Sequence, residues 1–227
     1  MLADLNLKKQ YACYCAILIL GSLLQGCSIF SYSRENGFLL KRMIKQPYIV
    51  GAVAPSSGTL SKLMVREALQ AVIGPEDFVV EVGPGTGCVT RILLAQGIPP
   101  ERLICVEIDP ELHKYMNEQF PEVQTLLGDA ADLENILAEK CGKIAAIVSS
   151  VPLKILPYDK ERAIIQAYHA VLKPGGKITQ FTYGIHPTAT VPGLKRSFGG
   201  IVLFNVPPAF VWTFTKDVAP MNISPKK

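Results

Sequence analysis

Three acidic residues and a glycine-rich turn occur at spacings that could bind a nucleoside ligand. Glu81 follows the apolar run Phe78–Val80 and precedes a turn with a glycine at every second position: Gly83, Gly85 and Gly87. Glycines permit left-handed backbone angles and let a ligand approach the main chain. A carboxylate at this position would repel a pyrophosphate, but it would attract the ammonium group of S-adenosylmethionine. The turn alone is a weak signal, so its meaning depends on the acids that follow it.

Two further acids, Glu107 and Asp129, close the next two apolar runs along the chain. Glu107 lies twenty residues after Gly87, the spacing at which a carboxylate meets ribose hydroxyls. Asp129 is then placed to accept from the adenine amine, and Glu81 to face the methionine ammonium, directly or through water. We therefore predict S-adenosylmethionine as the cofactor. The residues predicted to bind it are Glu81, Gly83, Gly85, Thr86, Gly87, Glu107, Ile108, Asp129, Ala130, Ser56 and Ser57.

These residues need a sheet that brings successive strand ends together. After the glycine turn, apolar strands alternate with amphipathic helices, which predicts a parallel sheet with ligands at the carboxyl ends of its strands. The predicted fold class is α/β: a Rossmann-like class I methyltransferase fold, with a mostly parallel seven-stranded sheet and a C-terminal antiparallel hairpin. After the first strand, the predicted strands are Leu103–Glu107, Val123–Leu127, Ile144–Ser149 and Lys177–Tyr183, with the hairpin in Gly200–Asn205 and Phe210–Thr215. The predicted helices that follow the glycine turn are 88–95, 110–120, Asp132–Glu139 and Lys160–Leu172.

The composition limits the class of protein. The 227 residues suffice for one α/β domain with a buried core. The net charge of +4 is too small to indicate nucleic acid by itself. Between Ser31 and Lys62, however, five basic residues face a single acid, and this local positive charge suits phosphate groups or an anionic membrane surface. The six cysteines form no C-x-x-C pair, which favours free thiols in a reducing compartment and no bound metal.

The first thirty residues are strongly apolar. Tyr11–Phe30 contains no charged side chain, and its twenty residues suffice to cross a bilayer core of about 30 Å. Three interpretations compete: a membrane anchor or interfacial helix, a signal-like segment, or an upstream extension from a misplaced start codon. Export would take the domain away from cytoplasmic S-adenosylmethionine, which disfavours the signal-like segment. If the segment spans, the heavier basic flank after it keeps the catalytic domain cytoplasmic. The predicted division is 1–30 hydrophobic extension, 31–57 membrane-associating helix and lid, and 58–227 methyltransferase domain.

A second N-terminal segment, Phe38–Lys45, has the pattern of an amphipathic helix. At about 100° per residue its apolar and basic residues fall on opposite arcs. It is either an ordinary surface helix packed on the domain or a helix lying in the lipid headgroup layer. In the second case, the residues that contact membrane or substrate are Leu40, Lys41, Arg42, Ile44 and Lys45.

Seven stretches carry a family resemblance: Gly51–Ser57, Glu81–Gly87, Val106-Glu107, Gly128–Ala130, Val151–Leu153, Gln180–Gly184 and Asn205–Ala209. Over roughly residues 38–214 the chain resembles the bacterial phospholipid N-methyltransferases, which methylate phosphatidylethanolamine. It is more distantly similar to the rRNA adenine dimethyltransferases. The resemblance implies an N-methyltransferase that acts on the ethanolamine amine, with a phospholipid membrane surface as partner and no nucleic acid. It also implies a location at the cytoplasmic face of the cell membrane, either peripheral or N-terminally anchored.

The acceptor side is predicted at Ser149-Ser150-Val151-Pro152-Leu153, after the fourth strand. Base methyltransferases place an Asn at Ser149, followed two residues on by Pro and then by an aromatic residue that stacks the flipped base. This chain has neither the Asn nor the aromatic residue, which argues against a nucleobase acceptor.

The predicted catalytic residues are Tyr183, Ser149 and Ser150. Main-chain carbonyls near the two serines would accept the protons of the attacking amine, and Tyr183 would hold or relay one. A methylated cation would also be stabilised by an aromatic face, for which Tyr48 and Trp212 are weaker candidates. An rRNA or small-molecule methyltransferase stays open as an alternative, as does a non-catalytic lipid-binding protein on the same fold.

Overall fold

The computed structural model describes residues 58–203 and 208–218. Five α-helices and seven strands are found there, and several short 3₁₀ turns connect them. The helices are α1 (Gly58–Ala68), α2 (Cys88–Ala95), α3 (Pro110–Gln119), α4 (Leu133–Ile136) and α5 (Tyr158–Val171). The strands are β1 (Phe78–Val82), β2 (Leu103–Glu107), β3 (Gln124–Leu127), β4 (Ile144–Ser149), β5 (Leu172–Thr182), β6 (Leu194–Val202) and β7 (Ala209–Lys216).

The strands form one seven-stranded sheet in the order β3-β2-β1-β4-β5-β7-β6. The first five strands pair in parallel, and β7 runs antiparallel to both β5 and β6. Strands β2 and β3 lie on one side of β1, and β4 and β5 lie on the other. The strand order therefore reverses between β1 and β4, and a crevice opens at the carboxyl ends of these strands. The predicted α/β class, with a mostly parallel seven-stranded sheet and a terminal antiparallel hairpin, is confirmed.

Both faces of the sheet are covered in its parallel part, which explains why its strands are almost continuously apolar. Along β1, Val79 belongs to the core beneath α1 and α2, and Val80 belongs to the core beneath α5. The same alternation places Cys105 in the first core and Ile104 in the second. Side chains of successive residues therefore point to opposite faces, as the period of a strand requires.

Three predicted elements differ from the structure by more than two residues at a boundary. The helix predicted over Asp132–Glu139 is reduced to the single turn of α4, flanked by 3₁₀ turns. Strand β5 begins at Leu172, directly after α5, although regular pairing with β4 resumes only at Lys177. Strand β6 begins at Leu194 and not at Gly200. It is an edge strand whose residues are mostly exposed, so its sequence lacks the apolar signal of a buried strand.

Several N-terminal predictions lie outside the described residues. They comprise the hydrophobic extension 1–30, the amphipathic segment with Leu40, Lys41, Arg42, Ile44 and Lys45, and the cofactor candidates Ser56 and Ser57. The domain boundaries predicted at residues 30 and 57 therefore stay predictions. Within 58–203 and 208–218, none of the helices combines the length and the apolar character that crossing a bilayer requires.

Candidate cofactor and active site

A cavity of about 460 Å³ opens at the carboxyl ends of the four strands β1 to β4. Its walls come from four stretches of chain that are distant in sequence: 82–83, 106–111, 128–130, and the segment after β4 with the first half of α5. Parallel sheets bind their ligands at this edge. Among the residues predicted to bind the cofactor, those in the cavity wall are Gly83, Glu107, Ile108, Asp129 and Ala130.

Glu107 lines this cavity and connects two of the chain segments around it. It ends β2, and its side chain is almost fully buried. Oε1 accepts a hydrogen bond from the main-chain N–H of Asp109 at 3.0 Å, and Oε2 accepts one from the N–H of Gly85 at 3.2 Å. Burial raises the pKa of the carboxyl above its ordinary value, although these two bonds favour the charged form. Glu107 therefore joins the glycine turn to the start of α3 and faces the cavity.

Asp129 is the second carboxylate of the cavity wall and already has two partners. Its Oδ1 accepts from the main-chain N–H of Ala131 at 2.9 Å, and its Oδ2 forms an ion pair with the Lys160 ammonium. Burial opposes ionisation, but the bonds from Lys160 and Ala131 outweigh it and lower the pKa of the carboxyl. An adenine amine would share this carboxylate with Lys160. Sequence reasoning missed Lys160, because nothing local to it indicates a contact with a residue 31 positions earlier.

Glu81 takes a different position from the other two acids. It is fully buried under the glycine turn and does not belong to the cavity wall. Oε2 accepts from Thr90 Oγ1 at 2.6 Å and from Cys105 Sγ at 3.7 Å. In the part of the chain that the structure describes, Oε1 has no hydrogen-bond partner. Burial raises the pKa of this carboxyl to about 7.

An unpartnered buried oxygen is costly unless a ligand or water completes it. Among the described residues, the Glu81 Oε1 atom is therefore an unsatisfied buried acceptor. Because Glu81 has no exposed surface and lies outside the cavity wall, its contact with the methionine ammonium stays a prediction.

The three glycines of the turn all have positive φ, between +58° and +79°, but they are needed for different reasons. At Gly87 an added Cβ would lie 2.3 Å from a ring atom of Phe120, so only glycine fits between α2 and α3. At Gly85, none of the described residues would have an atom within 4 Å of an added Cβ. Thr86 is buried, and its carbonyl accepts from Arg91 Nη1 at 3.2 Å. Gly85, Thr86 and Gly87 support the site without forming part of the cavity wall.

Polar groups of the predicted acceptor stretch Ser149–Leu153 form hydrogen bonds with other residues of the protein. The Ser149 hydroxyl is buried and hydrogen-bonded to the Tyr168 hydroxyl at 2.9 Å. The Val151 carbonyl accepts from Gln180 Nε2 and from the Leu153 N–H, both at 2.8 Å. Of the main-chain carbonyls predicted to receive protons from the amine, that of Val151 is thus already occupied.

The prediction that Ser149 takes the place of the Asn of base methyltransferases is wrong. Ser150 lies two residues before Pro152, the distance that separates Asn from Pro in those enzymes, so Ser150 and not Ser149 takes the place of the Asn. Ser150 is buried, and its N–H donates to the Val82 carbonyl at 2.9 Å. Neither serine belongs to the cavity wall, whereas Val151 and Pro152 do.

The structure places Tyr183 apart from the cavity. It is half-buried just beyond β5, and its ring packs edge-on against Phe181 with centroids 5.2 Å apart. Both rings pack in the core beneath α1 and α2, whereas Val82 and Val151 of the cavity wall belong to the core beneath α5. The catalytic role of Tyr183 stays a prediction. The indole of Trp212 donates to Thr182 Oγ1 at 3.2 Å.

The donor and acceptor set fits S-adenosylmethionine. Glu107 and Asp129 offer carboxylate oxygens to hydroxyl and amine groups, and Ile108 and Val106 offer apolar walls to a flat ring. When bound, the cofactor supplies an electrophilic methyl group on a sulfonium.

Comparison with known proteins agrees with this fit. The family described as Methyltransferase domain matches residues 79–176. An ornithine lipid N-methyltransferase from Singulisphaera acidiphila is 31% identical over 149 residues, which are 63% of this chain and 75% of that enzyme. The ribosomal RNA small subunit methyltransferase A of Thermotoga maritima is 29% identical over 178 residues, 70% of this chain. The chain spans 56% of that enzyme, and 30% of its Chlorobium chlorochromatii counterpart.

Solved structures show the same fold at low sequence identity. A Burkholderia thailandensis 1,6-didemethyltoxoflavin-N1-methyltransferase, crystallised with S-adenosylhomocysteine, superposes with a TM-score of 0.57 at 14% identity. The match covers 85% of this chain and 92% of that one. TrmN from Thermus thermophilus gives 0.55 at 18% identity, covering 73% of this chain and 51% of that one. The chain therefore belongs to the class I S-adenosylmethionine-dependent methyltransferases, and it is homologous to both ornithine lipid N-methyltransferase and ribosomal RNA small subunit methyltransferase A.

Proposed function

We propose that this methyltransferase transfers the methyl group to the primary amine of a membrane lipid headgroup, with phosphatidylethanolamine as its acceptor. The observation that carries the proposal is the 31% identity over 149 residues to an ornithine lipid N-methyltransferase. The resemblance to phospholipid N-methyltransferases in the Gln180–Gly184 stretch supports the choice of ethanolamine. Ornithine lipid is the second candidate, because the relative named for it is covered over 75% of its own length, against 56% and 30% for the two ribosomal RNA methyltransferases.

Both candidate lipids offer the same reacting group, a primary alkyl amine. The amine nitrogen attacks the sulfonium methyl in line, so that a carbon–nitrogen bond forms, the carbon–sulfur bond breaks and the nitrogen loses a proton. An alkyl ammonium has a pKa near 10, so about one molecule in a thousand is neutral at pH 7. The enzyme must align the neutral amine and exclude water, and alignment alone can supply much of the acceleration.

The segment after β4 favours a lipid amine over a nucleobase. Ser150 stands where base methyltransferases place Asn, and Leu153 stands where they place an aromatic residue. Leu153 has no aromatic ring on which a base could stack, and its side chain is buried in the core beneath α5. These substitutions distinguish this chain from its ribosomal RNA relatives, although the cofactor side is common to both.

We further propose that the protein works at the cytoplasmic face of the cell membrane, where its acceptor lipid is found. The basic residues Lys41, Arg42 and Lys45 support this proposal, because positive charge beside apolar residues suits an anionic lipid surface.

A transfer assay with tritiated S-adenosylmethionine tests the acceptor. The substrates are phosphatidylglycerol vesicles containing phosphatidylethanolamine, the same vesicles containing ornithine lipid, phosphatidylglycerol alone, and small-subunit ribosomal RNA. We expect label in methylated phosphatidylethanolamine and none in phosphatidylglycerol, which has no amine. If only ornithine lipid is labelled, ornithine lipid and not phosphatidylethanolamine is the acceptor, and the proposed reaction, methylation of a lipid amine, still stands. Label in RNA only, or cofactor and vesicle binding without transfer, would overturn the proposal.

A further inference from the structure

A buried glutamate outside the cofactor cavity joins three separate stretches of the chain. Glu161 lies near the start of α5, and its residue exposure is only 3%. Its Oε1 accepts a hydrogen bond from the main-chain N–H of Ala189 at 2.7 Å. Both carboxylate oxygens lie 3.4 Å from the Lys154 ammonium. Glu161 thus links α5 to the turn after β4 and to the connection between β5 and β6.

The two linked stretches leave the sheet at its carboxyl edge. Lys154 lies in the 3₁₀ turn Leu153–Ile155, directly after Val151 and Pro152 of the cavity wall. Ala189 lies in the connection 183–193, which follows the end of β5. Strands β4 and β5 are neighbours in the sheet, so these stretches flank the space next to the cavity on the side away from Glu107.

Burying a carboxylate is expensive unless its oxygens are satisfied. Here the Ala189 N–H supplies a charge-assisted hydrogen bond, which is the stronger kind. Lys154 is partly exposed, so its ion pair is screened by solvent and is the weaker link. The bond to Ala189 is therefore the stronger of the two contacts and ties the connection after β5 to α5, while Lys154 ties the turn after β4 to the same carboxylate.

We propose that Glu161 is a positioning residue for the methyl acceptor: it fixes the turn after β4 and the connection after β5 relative to each other, and so sets the opening through which the amine reaches the cofactor cavity. The inference rests on the proposed function in one respect, namely that a lipid amine enters from this side. Glu161 itself is not a cavity-wall residue. Its loss should therefore disturb acceptor use and leave cofactor binding intact.

Kinetics on three variants test the proposal. In Glu161→Ala the Ala189 N–H loses its acceptor, and we expect KM for phosphatidylethanolamine in vesicles to rise about tenfold, with Kd for S-adenosylmethionine unchanged within about twofold. Glu161→Gln keeps an oxygen for Ala189 and should recover most of the loss. Asp159→Ala removes an exposed acid from the same helix and is the matched control, expected to behave like wild type.

Hydrogen exchange provides a second measurement that needs no activity. In wild type the Ala189 amide should be protected, and in Glu161→Ala the peptides covering 150–156 and 184–190 should exchange faster while β1 and β2 keep their protection. An unchanged KM and unchanged exchange in Glu161→Ala would overturn the proposal, and so would an equal loss of cofactor affinity. If wild type methylates no lipid, the proposed function fails by itself, and the exchange experiment still decides whether Glu161 holds the two stretches. If Glu161→Ala does not fold, Glu161→Asp replaces it in both measurements, because the side chain is one methylene shorter and withdraws its oxygens from the Ala189 N–H.

Discussion

At the scale of single residues, burial makes the charge of Glu81 depend on pH within a physiological range. The folded-state pKa is about 7, against an ordinary value of 4.5, so the folded protein holds a proton that the unfolded chain releases between these values. The stabilisation from this proton is complete below about pH 4.5 and is lost as pH rises through about 7. The corresponding change in the free energy of unfolding is about 3 kcal/mol.

We predict that Glu81→Gln removes most of this pH dependence. Urea unfolding followed by circular dichroism from pH 4.5 to pH 8 should give a free energy that falls with pH in wild type and is flatter in the variant. Glu107 also has a raised pKa and adds a residual slope of the same sign in both proteins. Exposed Glu118 provides the control, since Glu118→Gln should leave the wild-type curve unchanged. Parallel curves for wild type and Glu81→Gln would contradict the assignment.

The second residue-scale prediction concerns Glu107→Ala. The change removes the acceptors of the Gly85 and Asp109 amides and the carboxylate that faces the cavity. We expect affinity for S-adenosylmethionine, measured by calorimetry, to fall about 100-fold or more, with vesicle binding intact. Glu118→Ala, an exposed acid on α3, should keep wild-type affinity. Retained cofactor affinity in Glu107→Ala would refute the ribose assignment.

The acids of the site were predictable from sequence, and their partners were not. An acid that closes a buried apolar run is visible locally, which is how Glu107 and Asp129 could be placed at one sheet edge. The contact of Lys160 with Asp129 spans 31 residues, and that of Tyr168 with Ser149 spans 19. Both depend on the angle at which α5 packs on the sheet, and no local pattern encodes that angle.

At the scale of elements, the packing of α2 against α3 requires a residue without a side chain at Gly87. Gly87→Ala would force a left-handed backbone angle on alanine and press its Cβ against the buried Phe120 ring. We expect a loss of about 2–4 kcal/mol in the free energy of unfolding, measured without cofactor. Gly85→Ala is the matched control: its φ is also positive but its Cβ meets nothing nearby, so about 1 kcal/mol is expected. Equal losses would show that backbone angle alone explains the glycine.

Predicted elements were accurate where burial is uniform and inaccurate where it is not. Strand β4 was predicted to the residue because all six of its positions are buried and apolar or small. The start of β6 was predicted six residues too far along the chain, at Gly200 and not at Leu194. The reason is that Lys195, Arg196 and Ser197 are exposed and polar, as an edge strand allows.

At the scale of the whole molecule, charge is divided unevenly along the chain. Six basic and two acidic residues precede Gly58, whereas residues 58–218 contain seventeen acids and fifteen bases. If the protein binds an anionic membrane, we expect the attraction to come chiefly from the N-terminal part. We predict that Lys41→Glu, Arg42→Glu and Lys45→Glu together weaken binding to phosphatidylglycerol vesicles strongly, as measured by sedimentation at low salt. Transfer to detergent-dispersed lipid should be retained, and unchanged vesicle binding would leave Phe38–Lys45 as an ordinary packed helix.

The hydrogen bond from the Trp212 indole to Thr182 has an optical consequence. Trp212 is the single tryptophan of the chain, and its half-buried ring meets Phe198 edge-on at 5.3 Å. Thr182 in turn donates to the Gly184 carbonyl at 2.7 Å, so the indole is coupled to the connection that Glu161 holds. Fluorescence emission from this one ring would therefore test whether that connection responds to added lipid vesicles, and the protein needs no added label to be followed in real time.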